Sequence, residues 1–153
     1  MTEILFYHLS EKTLEQVLPG LVEKSLSRGW KVVVQLGANE HVEAMDAHLW
    51  SYREESFLAH GCIKDGTESL QPVWLTTEDD NPNEAKIRFL TGGAQIDNPL
   101  NYDRIVYMFD GHDNEAVEHA RGRWKFHKDA SAISGHEQTY WQQNANGGWE
   151  KKA

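Results

Sequence analysis

The sequence has little cysteine, little positive charge and no long apolar run. Its one cysteine, Cys62, excludes an internal disulfide and a cysteine-based metal framework. The chain has 15 lysine and arginine residues against 24 aspartate and glutamate residues, a formal net charge of −9. We expect no strong direct binding to nucleic acid, because that affinity needs many cationic contacts. No apolar run approaches the roughly 18 residues of a membrane span and the N-terminus lacks a signal-peptide pattern, so we expect a cytoplasmic protein without membrane contact.

Glycine is absent from the turn where a nucleotide-binding fold needs it. The apolar run Ile4–Leu9 predicts a first strand, and the turn that follows, His8–Thr13, contains no glycine. In nucleotide-binding α/β folds, a glycine-rich loop at this place lets the backbone approach phosphate. Glu11 adds a negative charge to the turn. The sequence therefore argues against a phosphate site.

No motif assigns an acid, a base and a nucleophile to named roles. There is no Gly-x-Ser-x-Gly elbow, and no nucleophile motif surrounds the single cysteine. Two histidine pairs, His41 with His48 and His112 with His119, have a spacing of seven residues rather than the i, i+4 spacing of a zinc helix. The acidic pair Asp79-Asp80 precedes Asn-Pro-Asn and is typical of a turn. We predict no catalytic residue, no metal site and no cofactor.

What the chain does contain is an alternation of strand and helix patterns. After the first strand, apolar residues recur at helical spacing from Leu14 to Val22, with Ser10 or Thr13 as candidate N-caps. Pro19 lies inside this pattern and is expected to kink the helix or to mark a late start. The run Trp30–Leu36 predicts a second buried strand. Strand, helix and strand with short links predict a βαβ unit whose two strands form a parallel pair.

The later segments continue the same pattern. They are a helix at Asn39–Trp50, an extended segment at Phe57–Gly61, strands at Pro72–Thr76, Lys86–Leu90 and Arg104–Phe109, and a helix from about Asn114 to Lys128. We expect an α/β fold over residues 1–153 as a single domain, with a mostly parallel, Rossmann-like sheet flanked by helices and without a glycine-rich phosphate loop. The tail, residues 136–153, holds Trp141 and Trp149 and is expected to pack back onto the domain, because large aromatic side chains are stabilised by burial.

A basic segment stands out in this acidic chain. Residues 120–128 carry four basic side chains and no acidic one. At about 100° per residue, one stripe of the last helix holds five residues: Val117, Arg121, Trp124, Lys125 and Lys128. A cationic stripe with an aromatic and an apolar residue can hold an acidic peptide that ends in a hydrophobic side chain. The alternative is a solvated face whose cations complement the negative end of the helix dipole.

A second candidate surface lies at and beyond the end of the second predicted helix. It consists of Leu49, Trp50, Phe57 and His60. Large aromatic anchors near loops are typical of protein-binding hot spots. Burial of Trp50 as an ordinary core residue is the alternative.

Taken in order, the residues resemble those of the chi subunit of bacterial DNA polymerase III, over essentially the whole chain. The resemblance rests on Phe6-Tyr7-x-Leu9, Leu49-Trp50, Ser56-Phe57-x-x-His60, Pro72-Val73, Met108-Phe109-Asp110-Gly111, Ala120-Arg121-x-Arg123-Trp124-Lys125 and Thr139-Tyr140-Trp141-Gln142-Gln143. No one of these segments is diagnostic, but their order and spacing together are specific. The resemblance implies a non-enzymatic clamp-loader adaptor, α/β in fold and without a nucleotide. Its implied partners are the psi subunit and the acidic, Phe-terminated tail of the single-stranded-DNA-binding protein.

The resemblance also implies where that tail binds. The family's tail site is basic and lies on the last helix, which corresponds to Arg121, Trp124 and Lys125 in this chain. Trp124 stands where some relatives have tyrosine, which keeps a ring beside the charges. Val117 and Lys128 are added from helical geometry. Nucleic acid would then be reached only indirectly, through the protein that bears the tail.

For the psi partner, the resemblance implies the second candidate surface. In some bacteria a repair helicase shares this surface, which corresponds to Trp50 and Phe57 here, with Leu49 and His60 beside them. Ala59 precedes His60 where proline is frequent in the family.

Two other functions remain open from the sequence. One is an enzyme of nucleotide or phosphate-ester metabolism on a Rossmann-like sheet. The other is direct binding of single-stranded DNA by some of the six tryptophans.

Overall fold

The computed structural model describes residues 2–51, 71–96, 101–134, 136–146 and 148–153. In chain order the elements are β1 (Glu3–Leu9), α1 (Leu14–Ser27), β2 (Val32–Gln35), α2 (Asn39–Ser51), β3 (Val73–Thr76), β4 (Ile87–Leu90), β5 (Arg104–Asp110), α3 (Asn114–Ser134), β6 (Glu137–Gln143) and β7 (Trp149–Lys151). The strands form one sheet in the order β3-β2-β4-β5-β1-β6-β7. Every neighbouring pair is parallel except β6 with β7. The predicted α/β class with a mostly parallel sheet is confirmed.

The sheet is covered by helices on both faces. One apolar cluster, the α1/α2-side cluster, includes Leu5, Leu18, Val34, Met45 and Phe89. The other, the α3-side cluster, includes Ile4, Phe6, Tyr107, Phe109 and Ala120. Successive residues of a strand point to opposite faces, so β1 contributes alternately to the two clusters. Strands β2, β3 and β4 are buried at every position, which explains their nearly continuous apolar runs.

The strand order corrects one expectation. We predicted that β1 and β2 form a parallel pair, but β5 and β4 lie between them. β1 pairs with β5, with Ile4 opposite Ile105, and β2 pairs with β4, with Val32 opposite Ile87. The crossover through α1 therefore spans two strand positions, which later strands fill. The sequence order of the first three elements carries no signal for that insertion.

Helix α1 begins and ends as its sequence signals indicate. The Thr13 hydroxyl accepts from the Gln16 backbone N–H at 3.3 Å, while the Gln16 side chain accepts from the Thr13 N–H at 2.9 Å. This capping box selects Thr13 rather than Ser10 as the N-cap. Gly29, with φ of 81°, follows the C-cap residue Arg28 and takes the left-handed conformation that glycine accommodates.

Pro19 does not delay the start of α1, which begins five residues before it and continues to Ser27. A proline has no N–H to donate to the carbonyl four residues earlier, which is that of Glu15. The structure supplies another donor, because His48 Nε2 of α2 donates to the Glu15 carbonyl oxygen at 2.6 Å. The proline is therefore tolerated by a hydrogen bond that also joins α1 to α2.

The C-terminal segment forms part of the sheet. β6 pairs with β1, with Phe6 opposite Tyr140, and β7 pairs with β6. Trp141 and Trp149 both pack against the α1/α2-side cluster. The Trp149 ring stacks on Tyr7 with 4.5 Å between ring centroids. These contacts partly bury the two tryptophans, Trp141 and Trp149.

Two further predictions concern the end of α3 and the segment that follows α2. α3 extends to Ser134, six residues beyond the predicted end at Lys128. The predicted extended segment Phe57–Gly61 lies outside the described residues. Within the described parts of the chain, no helix combines the length and the apolar character needed to cross a membrane.

Candidate protein-binding site

Helix α3 starts at a capped turn and lies against the sheet face that carries the α3-side cluster. The Asp113 carboxylate accepts from the backbone N–H groups of Glu115 at 3.0 Å and Ala116 at 3.3 Å. Such a side-chain acceptor satisfies N–H groups that a helix start leaves without a partner. Ala120 is buried against the sheet. The cap and this contact fix the direction in which the following basic residues project.

Burial divides the basic residues of α3 into two groups. Arg123 and His127 are 8% and 1% exposed, and both contact the Tyr107 hydroxyl, at 3.3 Å from Arg123 Nε and 2.8 Å from His127 Nε2. Arg123 Nη2 also donates to the Ile96 carbonyl oxygen at 2.7 Å. Arg123 is therefore a structural residue, although it belongs to the basic segment in the sequence.

The five residues of the predicted stripe differ in burial. Arg121, Lys125 and Lys128 are exposed. Val117 and Trp124 are half-buried and pack against the α3-side cluster. The Lys128 ammonium lies 5.8 Å from the centroid of the Trp124 ring, within the range of a cation–π contact. The stripe thus combines three accessible cations with one anchored aromatic ring.

Contacts from the sheet hold the Trp124 ring in place. Its centroid lies 5.3 Å from that of Phe6 and 5.9 Å from that of Tyr140, both in edge-on geometry. Gln138 Nε2 donates to the Trp124 carbonyl oxygen at 2.8 Å, which ties α3 to β6. A ring fixed in this way loses little rotamer entropy when a ligand covers it.

A histidine and a tyrosine extend this surface in a way the sequence analysis missed. His8 Nδ1 lies 2.6 Å from the Tyr140 hydroxyl. Burial lowers the pKa of His8, and the positive charges of His112 and Arg121 lower it further, whereas Asp110 acts in the opposite direction. Burial also raises the pKa of Tyr140, against the influence of Arg121. Arg121 is therefore electrostatically coupled to both residues.

The sequence holds only a weak signal for this pair. Strand periodicity places His8 on the same face as Phe6, and the parallel pairing of β1 with β6 brings Tyr140 beside them. The two partners are 132 residues apart. No local sequence pattern predicts such a contact.

The second predicted surface is described only in part. Leu49 is 1% exposed and belongs to the α1/α2-side cluster, so its side chain is core rather than surface. Trp50 lies in the last turn of α2, and its side chain is outside the described part. Phe57 and His60 also lie outside the described residues.

A cleft of about 770 Å³ opens at the carboxyl ends of β1, β4 and β5. Here β1 leads to α1 on one face and the adjacent β5 leads to α3 on the other, which is the place where open α/β sheets bind nucleotides. Five carboxylates line it: Glu11, Glu15, Asp110, Asp113 and Glu115. Lys12 is the one lysine of the lining. This charge balance disfavours a phosphate group.

The turn after β1 is occupied from within the molecule. Gln143 Oε1 accepts from three consecutive backbone N–H groups, those of Ser10 at 3.2 Å, Glu11 at 3.1 Å and Lys12 at 3.0 Å. The Ser10 hydroxyl donates to the Gln143 carbonyl oxygen at 2.8 Å. Gln143 is 4% exposed. Backbone N–H groups in such a turn would otherwise be donors to a phosphate oxygen. A side-chain amide therefore takes the position that a phosphate would need.

The described residues give no support to a metal centre. Across these segments, no group of three or more histidine, cysteine, aspartate or glutamate side chains is placed to hold an ion. His112 Nε2 donates to the Ser10 carbonyl oxygen at 2.8 Å, and His48 binds the Glu15 carbonyl oxygen. These two histidines thus have structural partners.

The fold and the site define an α/β domain with a mostly parallel sheet, in which Gln143 accepts from the turn after β1 and the exposed cations of the stripe lie on α3. Residues 1–133 match the family described as DNA polymerase III chi subunit, HolC, and the chain belongs to that family. One relative is the probable DNA polymerase III subunit chi of Rickettsia prowazekii (strain Madrid E). It is 26% identical over 109 residues, which are 71% of this chain and 66% of the relative.

Family membership confirms the resemblance seen in the sequence. The chi family is an accessory subunit of DNA polymerase III and not a catalytic enzyme. The alternative of a nucleotide- or phosphate-ester-metabolising enzyme is not supported. The matched residues include the whole α3 stripe, whereas Tyr140 lies beyond them.

Proposed function

We propose that this chain is a cytoplasmic adaptor that links the clamp loader, through the psi subunit, to the acidic C-terminal tail of the single-stranded-DNA-binding protein. The observation that carries the proposal is the division of basic residues on α3. Arg123 is buried and bound to groups of the core. Arg121 and Lys125 are exposed, and the anchored ring of Trp124 lies on the same stripe. Exposed cations around a fixed aromatic ring fit a ligand that is both acidic and aromatic.

Each part of such a tail has a matching group on α3. Aspartate side chains and the terminal carboxylate pair with Arg121 and Lys125, with Lys128 beside them. The terminal phenylalanine ring packs against Trp124 and Val117. Charge-assisted hydrogen bonds contribute about 1.5–3 kcal/mol when desolvated and less at the surface. A few of these bonds with one covered ring predict micromolar affinity, about −8 kcal/mol.

The charge of the rest of the chain supports a protein ligand over DNA. The formal net charge of −9 repels a phosphate backbone, whereas a short acidic tail needs only the local cations of α3. Nucleic acid is then reached indirectly, through the tail-bearing protein.

We assign the psi partner, or a repair helicase in its place, to the surface at the end of α2. Leu49 anchors that helix end in the core, and Trp50, Phe57 and His60 supply the contacts. Co-purification of psi with the wild-type chain, and its loss with Trp50→Ala, is the expected result. Retention of psi by Trp50→Ala at wild-type yield would contradict this assignment.

The test of the tail site is a fluorescence anisotropy titration with an acidic peptide that ends in Pro-Phe. We expect micromolar binding by the wild-type chain and a loss of at least about tenfold with Arg121→Ala or Lys125→Glu, because each removes a carboxylate partner. Lys24→Glu is the matched control, since Lys24 is exposed on α1 across the sheet. If Lys125→Glu binds as well as Lys24→Glu does, the site lies elsewhere.

A further inference from the structure

We infer that Tyr140, supported by His8, forms an additional carboxylate-binding position beside Arg121, and that His8 takes up a proton when an acidic residue of the ligand fills that position. This inference rests on the proposed function, because its ligand is the same acidic peptide. It adds residues from β1 and β6 to a site so far confined to α3.

The first argument is proximity. The Tyr140 ring stacks parallel to Phe6 at 6.5 Å and lies edge-on to Trp124 at 5.9 Å, so it belongs to the aromatic group that anchors the stripe. The positive charge of Arg121 acts on both Tyr140 and His8. All of these side chains except Phe6 retain some exposure to solvent. A carboxylate that pairs with Arg121 therefore lies within reach of the Tyr140 hydroxyl.

The second argument is the fixed position of the histidine ring. His8 is held on one side by the Tyr140 hydroxyl at 2.6 Å. On another side lies Gly111, where an added Cβ would stand only 2.0 Å from His8 Nε2. The Phe109 ring contacts it at 5.2 Å between centroids. The imidazole is therefore directed at the tyrosine, and glycine at position 111 is what makes room for it.

The third argument concerns which of the two side chains, His8 or Tyr140, donates the hydrogen bond between them. When His8 is neutral and its Nδ1 is an acceptor, the Tyr140 hydroxyl donates to it and has no proton for a ligand. When His8 is protonated, Nδ1–H donates to the phenol oxygen, and the phenol proton is free to bind a carboxylate. Protonation thus converts Tyr140 into a donor for the ligand and adds one positive charge to the site.

The fourth argument is the set of charges that face His8. Asp110 and His112 face it from the end of β5 and the turn beyond, Arg121 from α3 and Tyr140 from β6. Burial, His112 and Arg121 lower the pKa of His8, and Asp110 alone opposes them. A bound carboxylate offsets the positive charges and raises that pKa, so binding is accompanied by proton uptake. By linkage, peptide affinity increases as the pH falls through this range.

The experiment is a titration of the acidic peptide ending in Pro-Phe at about pH 5.5 and about pH 7.5, at constant ionic strength, across the usual range of histidine titration. Wild-type affinity should be several-fold higher at the lower pH. Tyr140→Phe, which keeps the ring, should lose about three- to tenfold at the lower pH and less at the higher pH. His8→Gln should remove most of the pH dependence. His41→Gln, an exposed histidine on α2, is the control that should keep it.

A second measurement follows the histidine itself. The His8 ring signals in NMR should titrate at higher pH with the peptide bound than without it. Unchanged affinity and an unchanged pH profile in Tyr140→Phe would overturn the inference while leaving the roles of Arg121 and Lys125 intact. Absence of peptide binding by the wild-type chain at both pH values would instead reject the proposed function, and the inference with it.

Discussion

The same residue type has opposite roles at different positions of this chain. Arg88 on β4 is fully buried, and its Nε and Nη2 donate to Gln35 Oε1 at 3.0 and 2.6 Å. Its Nη1 donates to the Tyr102 hydroxyl at 3.0 Å. Arg121 is exposed on α3. A buried guanidinium with several acceptors stabilises the fold, whereas an exposed one is available to a ligand.

This contrast predicts that one alanine variant loses stability and another loses peptide binding. Arg88→Ala should lower the free energy of unfolding by about 3–5 kcal/mol, because it leaves a cavity and removes the donor of several buried acceptors. Arg121→Ala should leave the unfolding transition unchanged and weaken peptide binding. Denaturant melts and peptide titrations on both variants measure the two effects. A loss of stability in Arg121→Ala equal to that in Arg88→Ala would contradict the division.

At the scale of elements, side chains from other elements satisfy backbone groups at two places in the first part of the chain. The first is the β1–α1 turn, where Gln143 Oε1 of β6 accepts hydrogen bonds from three backbone N–H groups. The second is α1 itself, where His48 of α2 binds the carbonyl oxygen that Pro19 leaves without its helical donor. Both contacts satisfy backbone groups that the local sequence cannot satisfy.

Removal of the first contact should destabilise the fold. Gln143→Ala leaves three N–H groups without their acceptor and should lower the free energy of unfolding by about 1–3 kcal/mol. Gln142→Ala, on the opposite face of the same strand, is the control and should have a smaller effect. Denaturant unfolding monitored by tryptophan fluorescence measures both. Equal stability of the two variants would mean that the turn is satisfied without Gln143.

The second contact predicts a coupling between His48 and Pro19. His48→Ala alone should cost about 0.5–1.5 kcal/mol of stability, since the Glu15 carbonyl oxygen loses its donor. In a Pro19→Ala background the helix supplies an N–H to that carbonyl, and the same change at His48 should cost less. A double-mutant cycle in denaturant measures the difference. Additive effects would show that His48 does not compensate for the proline.

The elements themselves were largely predictable, but their arrangement was not. The 3.6-residue pattern of Leu14–Val22 and the apolar run at Arg104–Phe109 are local signals, and both elements appear as predicted. The separation of β1 from β2 depends on which later strands pair with each, and no local pattern specifies that. The stripe on α3 follows from helix geometry alone. The contact between His8 and Tyr140 depends on sheet register over 132 residues and was missed for that reason.

At the scale of the whole molecule, the C-terminal strands β6 and β7 form the edge of the sheet beside the candidate site. β6 lies between β1 and β7, and it carries Tyr140 towards α3 and Trp141 towards the opposite face. Trp149 on β7 stacks on Tyr7 of β1. The family match ends at residue 133, yet Tyr140 of β6, which lies beyond it, contacts the ring of Trp124.

Loss of the Trp149 contact should reduce stability but leave peptide binding intact. Trp149→Ala should lower the free energy of unfolding by about 1–3 kcal/mol through loss of the stacked pair and of apolar burial. Because Trp149 lies on the face opposite α3, peptide affinity at low denaturant should stay close to that of the wild-type chain. Calorimetry and the peptide titration test the two statements. A large loss of affinity with unchanged stability would place Trp149 in the ligand site.

The overall acidity of the chain makes salt a diagnostic variable. The peptide and the protein both carry net negative charge, so the long-range electrostatic force between them is repulsive. At short range the cations of α3 attract the carboxylates of the peptide. At physiological salt the screening length is about 8 Å, and pairing on α3 should dominate the affinity. Binding should weaken as salt is raised further. An affinity that increases with salt throughout the range would contradict pairing on α3.

The most direct test of the central claim is to map the bound peptide by NMR on the isotope-labelled chain. Backbone amide signals of residues 117–128 on α3 should shift most when the acidic peptide ending in Pro-Phe is added, and those of Tyr140 and its neighbours on β6 should follow. Lys125→Glu should abolish the shifts at the same peptide concentration. Shifts centred instead on the cleft at the ends of β1, β4 and β5, with α3 unaffected, would contradict the claim that α3 binds the tail.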